Sequence, residues 1–250
     1  MIKRLSIAIV FVLMAIVLSA MPILAQEDEQ NSVSFNGTSF DFPSILGSNV
    51  VIVQYPGDST ALEQPGGPVP PHTQFVLYTG TLAPKNSFET PVSVLVYNTS
   101  DLVGYPLYQA EVDALNTLMS NSPDLNTFEV PTMGRFGEES FLLPYLPVPN
   151  ASQVIRANVN YVNTDSFMGV SYITAYRQDA SPFTSNDFIY TLQGVSYDGS
   201  MYVVVTANLP TTAFAAEVPA DFNYDSFIAD YENYMTQAVA TMNQDLVGDT

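Results

Sequence analysis

The sequence of 250 residues has no cysteine, no tryptophan and one histidine, and it carries only six lysines and arginines. Without cysteine there is no disulfide, no thiolate nucleophile and no thiolate metal site. With a single histidine, His72, a structural zinc site has no second imidazole. His72 sits in Pro70-Pro71-His72-Thr73, and reads as an exposed histidine beside a Pro-rich loop. The chain has no Gly-x-Ser-x-Gly elbow, so a Ser-His-Asp triad has little to assemble from. The glycines form neither Gly-x-Gly-x-x-Gly nor a phosphate loop, which argues against nucleotide binding. No tryptophan is present to serve as a sugar platform. The 15 Tyr and 15 Phe fall mostly at positions patterned as core.

The shortage of basic residues sets the charge. Twenty-five Asp and Glu give a net charge of −19. Such a surface repels nucleic acid and anionic lipid, keeps a chain soluble outside the cell, and attracts cations or a basic partner. Two of the basic residues, Lys3 and Arg4, precede an apolar run from Leu5 to Leu18 that ends in small residues. This is the pattern of a signal peptide cleaved at Ala25, or alternatively at Ala20; a retained membrane anchor is the other reading. No later stretch is long and apolar enough to span a bilayer. Residues 1–25 are therefore expected to be a signal peptide and residues 26–250 a single α+β domain, secreted or otherwise extracytoplasmic. Export without disulfides leans bacterial, which leaves the sequons at Asn36, Asn98 and Asn150 as chance matches.

What is present is a succession of β-hairpins. Val33-Ser34-Phe35 and Thr38-Ser39-Phe40 flank Asn36-Gly37, with Phe35 expected opposite Thr38 and Val33 opposite Phe40. Asn49 to Tyr55, Thr73 to Thr81 and Pro91 to Asn98 read as strands, and Gly57 to Pro71 reads as a loop. Leu107 to Ser120 has helical spacing, with Leu107, Ala114, Leu115, Leu118 and Met119 as its stripe and Glu111 and Asp113 outside it. Ser122 to Asn150 is irregular, and Leu142-Leu143-Pro144-Tyr145-Leu146-Pro147 reads as an extended apolar strap.

The richest stretch is Gln153 to Leu209. Ile155, Ala157, Val159 and Tyr161 alternate with polar residues, and the chain returns through Met168, Val170, Tyr172 and Thr174. Pairing Val162 with Phe167 would set Val159 against Val170 and Ala157 against Tyr172. In the next hairpin Asp198-Gly199 predicts a type I′ turn. Pairing Tyr197 with Ser200 then sets Leu192 against Val205, Tyr190 against Ala207 and Phe188 against Leu209, all on one face. Met201 to Val205 is apolar without alternation, as in a strand covered on both sides. Phe222, Phe227, Ile228, Tyr231, Met235, Val239 and Met242 recur at helical spacing and predict a last helix lying on the sheet. The order of strands, helix, strands, helix predicts an α+β domain with an antiparallel sheet built of hairpins and flanking helices.

Gly169 to Pro210 carries Gly-Val-x-Tyr, Tyr-Thr-x-Gln-Gly and an Asp-Gly before a terminal strand. With Leu142 to Ala157 upstream, it resembles a group of uncharacterised exported bacterial proteins. These segments cover about a quarter of the chain. The wider plan, with Phe40-x-Phe42-Pro43 early and a late strand ending in Asn208-Leu209-Pro210, resembles the PsbP/Mog1-like fold. Members of that fold include extrinsic photosystem subunits and other non-catalytic factors. The resemblance implies a fold; it carries over no functional residue.

One spacing could hold a cation. Asp221, Asn223, Asp225 and Glu232 stand at positions 1, 3, 5 and 12 of an EF-hand-like calcium loop. Ser226 replaces the glycine of the turn, and Pro210 and Pro219 interrupt the helix that should precede it. The same residues make an ordinary helix start, with Asn or Asp as N-cap and acids in the first turn. The leading expectation is a secreted, non-catalytic domain that binds a protein or small-molecule partner, with no cofactor. The alternatives are a calcium-dependent version of it and a hydrolase built on two carboxylates that meet only in space.

Overall fold

The fold is known from a computed structural model that describes residues 5–6, 30–59, 67–84, 92–129 and 142–244. The expected signal peptide, apart from the backbone of Leu5–Ser6, lies outside the described residues. The strands are β1 (Leu5–Ser6), β2 (Gln30–Phe35), β3 (Thr38–Pro43), β4 (Asn49–Tyr55), β5 (His72–Tyr78), β6 (Val92–Asn98), β7 (Ser152–Asn163), β8 (Phe167–Arg177), β9 (Ile189–Ser196) and β10 (Met201–Asn208). The helices are α1 (Pro106–Asn121), α2 (Tyr224–Ala229) and α3 (Tyr231–Gln244). This is an α+β domain organised on one antiparallel sheet of seven strands, in the order β4-β5-β6-β10-β9-β8-β7. Two meanders, β4 to β6 and β7 to β10, join where β6 pairs with β10. Among the described residues no helix is long and apolar enough to cross a membrane.

Both faces of the sheet are buried, by different elements. On one face Phe75, Val94, Ile173, Leu192 and Val205 pack with Phe40 and Phe42 of the β2–β3 hairpin and with Met235, Val239 and Met242 of α3. On the other face Tyr97, Val170, Tyr172, Tyr202 and Val204 pack against Tyr108, Val112, Leu115 and Leu118 of α1 and against Leu143 and Leu146 of the strap. Each of these large side chains contributes roughly 1.5–3 kcal/mol when fully buried. β10 lies in the middle of the sheet, and this explains why Tyr202 to Val205 is continuously apolar.

The turns that the residue types dictate form as expected. Asn36 (φ 48°) and Gly37 (φ 83°) both take the left-handed conformation of a type I′ turn, and Phe35 and Val33 stand opposite Thr38 and Phe40. β9 and β10 pair Leu192 with Val205 and Tyr190 with Ala207, and the Leu209 amide donates to the Phe188 carbonyl at 3.0 Å. Their turn differs in type. Only Gly199 has positive φ, and its amide donates to the Ser196 carbonyl at 2.8 Å. Asp198 is free of the type I′ geometry because its carboxylate instead accepts from Ser196 Oγ, Ser200 Oγ and the Ser200 amide.

The β7–β8 register departs from the expected one. Thr164 and Phe167 close a two-residue turn, so Val162 faces Gly169, Tyr161 faces Val170 and Ala157 faces Ile173. Two bulges, between Gln153 and Ile155 and between Ala157 and Asn160, insert residues that no alternation pattern shows. The second bulge, with Asn158 at φ 50°, turns Ile155 and Ala157 toward α3 but Val159 toward α1.

The helices also correct details. α1 starts with Pro106 in its first turn and stops at Ser122, whose left-handed backbone returns its amide to the Leu118 carbonyl at 2.9 Å. Its buried stripe is Tyr108, Val112, Leu115 and Leu118; Leu107 and Ala114 face solvent. The expected last helix is two helices broken at Asp230, and only Met235, Ala238, Val239 and Met242 of α3 are buried.

Candidate functional site

The polar chemistry of the interior gathers where α1, the strap and the sheet meet. The strap runs over β7, β8 and β9 without joining the sheet, so its backbone polar groups need side-chain partners. Two glutamines supply them. Gln153 Oε1 accepts from the Leu143 amide at 2.9 Å, and Gln153 Nε2 donates to the Leu143 carbonyl at 3.3 Å. Gln193 does the same for Leu146 at 3.0 and 3.4 Å. The Tyr172 hydroxyl donates to the Pro144 carbonyl at 2.7 Å, and the Tyr145 amide donates to Glu111 Oε2 at 2.9 Å. Gln193 is held in turn by the Tyr202 hydroxyl at 3.0 Å and by Thr191 Oγ1 at 2.9 Å.

The motifs Gly-Val-x-Tyr and Tyr-Thr-x-Gln-Gly fall on this clamp. Gly-Val-x-Tyr contributes Gly169 and Tyr172; Tyr-Thr-x-Gln-Gly contributes Thr191, Gln193 and Gly194. Gly169 faces Gly194 across β8 and β9. A Cβ on Gly169 would stand 2.2 Å from the Gln193 carbonyl oxygen, and one on Gly194 would stand 2.7 Å from the Phe167 ring. These glycines are required by close approach, not by a turn.

Glu111 was expected on the outside of α1. The structure instead places it half-buried under the strap. Burial raises its pKa, and the hydrogen bond from the Tyr145 amide partly opposes that. Tyrosines surround it. Burial pushes the Tyr145 hydroxyl up to about 12 and raises Tyr172 and Tyr202 further. Among the described residues the buried hydroxyl of Tyr97 has no hydrogen-bond partner.

His72 is likewise not a free loop residue. It opens β5, its Nδ1 donates to the Pro70 carbonyl at 2.9 Å, and its ring lies between Tyr55 and Tyr97 with centroids 4.5 and 5.0 Å away. Tyr97 continues to Tyr108 at 5.9 Å and Tyr108 to Tyr105 at 6.4 Å. This aromatic row runs from Tyr55, which is 42% exposed, into the core. Burial lowers the pKa of His72, against the opposing effect of its bond to Pro70.

The residues of the calcium spacing are placed on a helix start. Asn223 caps α2, its Oδ1 accepting from the Ser226 amide at 2.9 Å. Asp225 lies in the first turn of α2 and Glu232 in the first turn of α3, with Asp221 in the turn before. Among the described residues no group of three or more His, Asp or Glu side chains is arranged to hold a metal ion.

Charge is sorted by depth. Of the described residues, the two arginines point inward. Arg156 is 1% exposed, and its guanidinium donates to the carbonyls of Phe128 and Gln153 at 2.7 and 3.1 Å. Burial lowers its pKa to about 10. Arg177 pairs with Asp187 and lies 5.3 Å from the centre of the Phe183 ring. The acids are mostly outside: Asp41, Asp58, Asp101, Asp113, Asp124, Asp165, Asp179, Asp198, Glu217, Asp221, Asp225, Asp230 and Glu232 are all exposed. Glu129 is an exception, since it accepts from the Val159 amide freed by the bulge at 3.0 Å and from Asn243 at 2.9 Å. No family model, no curated protein and no solved structure matches this chain.

Proposed function

We propose that the chain is an exported, non-catalytic domain that binds a basic partner outside the cytoplasm. The observation that carries this reading is the sorting of charge. Both described arginines are spent on interior carbonyls and on Asp187, while thirteen acids stay at the surface. Such a surface carries a negative field that concentrates cationic partners and speeds their encounter. The polar side chains of the interior support the same reading. Gln153, Gln193, Glu111 and Tyr172 hold the strap, and His72 is occupied by Pro70 and two tyrosines. The resemblance to the PsbP/Mog1-like plan, which includes non-catalytic factors, agrees with it.

The test is calorimetric titration of the purified protein with an oligolysine and with an oligoglutamate of equal length, at low and high ionic strength. Saturable binding of the lysine peptide alone, weakening as salt rises, is expected. No binding of the lysine peptide, or equal binding of both, would overturn the proposal.

A further inference from the structure

We infer that the partner docks as an extended strand on the outer edge of β4, enlarging the seven-stranded sheet. This rests on the reading of the domain as one that binds a basic partner, and it adds the place and the mode.

The two ends of the sheet are built differently. β7 at one end is interrupted by two bulges, and the bulge amides of Asn158 and Val159 are taken by Asn243 of α3 and by Glu129. Bulges and covering side chains are the ordinary protection of a sheet edge. Among the described residues β4 at the other end shows none of these. Its seven residues, Asn-Val-Val-Ile-Val-Gln-Tyr, contain no charge, no proline and no bulge, and within the sheet they pair only with β5. An edge of this kind presents unpaired amides and carbonyls to an incoming strand.

One face of β4 is also only partly covered among the described residues. Val50 and Ile52 pack under the β2–β3 hairpin side of the core. Val51 and Val53, which point the other way, are half-buried like Val50 and Ile52 but belong to neither core cluster, and Tyr55 beyond them is exposed. The reason is the position of α1 and the strap. They cover β6, β10, β9 and β8, and among the described residues β4 and β5 reach that cluster only through the stack of Tyr55 and His72 on Tyr97. An added strand would meet both a hydrogen-bonding edge and an apolar row formed by Val51, Val53 and Tyr55. Charge selects the occupant. A second copy would bring another net charge of −19 to the same edge, whereas a strand carrying lysine or arginine on its outer face is drawn by the net negative charge of the chain.

The test uses a blocked peptide matching β4 in length that alternates lysine and valine, together with the same peptide N-methylated at every second amide. Methylation keeps the charge and removes the donors of one edge. The full-length protein should bind the plain peptide saturably and the methylated one at least about tenfold more weakly. Val51→Lys should weaken binding about tenfold, while Asn116→Lys on the exposed face of α1 makes the same change in net charge with little effect, and Val51→Thr preserves binding. Equal affinity for the plain and methylated peptides would overturn edge docking while leaving the attraction to basic partners standing. Absence of saturable binding at ~1 mM would overturn both. Sedimentation showing a dimer that Val51→Lys dissociates would assign the edge to a second copy and overturn the proposal.

Discussion

Gln193 and Leu146 exchange two hydrogen bonds, one from the Leu146 amide and one to its carbonyl, as two residues of a β-ladder would. The side-chain amide stands in for a strand that is not there. Gln153 repeats the arrangement on Leu143. Replacing Gln193 by Met would keep the volume and strand the Leu146 amide, the Leu146 carbonyl and the Tyr202 hydroxyl in a buried place. The expected loss is about 3 kcal/mol, since each orphaned group costs roughly 1–3 kcal/mol and some relaxation follows. Urea unfolding monitored by tyrosine fluorescence measures it, and an unchanged midpoint would show that the strap is not held this way.

Glu111 carries the opposite expectation. Its pKa is raised in the folded protein by burial, so the folded state favours the protonated form. Stability from this group is present below the unfolded carboxylate pKa and is lost as pH rises through the raised value. Glu111→Gln removes the buried charge and keeps an oxygen for the Tyr145 amide. At neutral pH that variant should match or exceed the parent in denaturant midpoint, whereas Glu111→Ala, which removes the acceptor, should fall by about 1–2 kcal/mol.

His72 should make stability depend on pH in the physiological range. Burial depresses its folded pKa below the unfolded value of 6.5, so only the unfolded chain gains a proton as pH first falls below that value. The stability lost between pH 6.5 and the folded pKa should be absent from His72→Phe, which keeps the ring between Tyr55 and Tyr97. Thermal melts of both proteins at pH 7.5 and 5.5 compare them; parallel pH dependence would show that His72 does not contribute.

Asn223 is bonded as a helix cap, and Asn223→Ala should cost about 1 kcal/mol. The cost should be the same in calcium and in chelator. A penalty that appears only with calcium would restore the reading in which Asp221, Asn223, Asp225 and Glu232 share an ion, because a ligand bound to the folded state adds its own stabilisation.

How much of this was legible in the sequence follows from the range of each interaction. Asn36-Gly37 and the pairing of Leu192 with Val205 are local: a glycine turn and a period of two fix both. The β7–β8 register was not legible, because Thr164 and Phe167 close a two-residue turn within a run of four turn-forming residues, and the bulge beyond it depends on what receives the freed amides, with Asn243 lying 85 residues from Asn158. Glu111 looked like a solvent-facing acid because its partner, the Tyr145 amide, lies 34 residues further on. The same holds for His72, whose neighbours Tyr55 and Tyr97 come from two other strands. A polar residue between apolar ones signals an outer face only where no further layer covers the helix, and here the strap supplies that layer. A signal was available for Gln193: a glutamine in the most apolar strand pair of the chain must find a buried partner.

Amide hydrogen exchange of β4, measured with and without the lysine-valine peptide, bears most directly on the claim that this acidic domain takes a basic strand at its open edge. The outward amides between Val50 and Gln54 should exchange quickly in the free protein and slow by at least about tenfold with peptide bound. The amides of β7, at the protected end of the sheet, should not change. Protection on β7 or on α2 with β4 unaffected, or no protection anywhere at saturating peptide, would contradict the account.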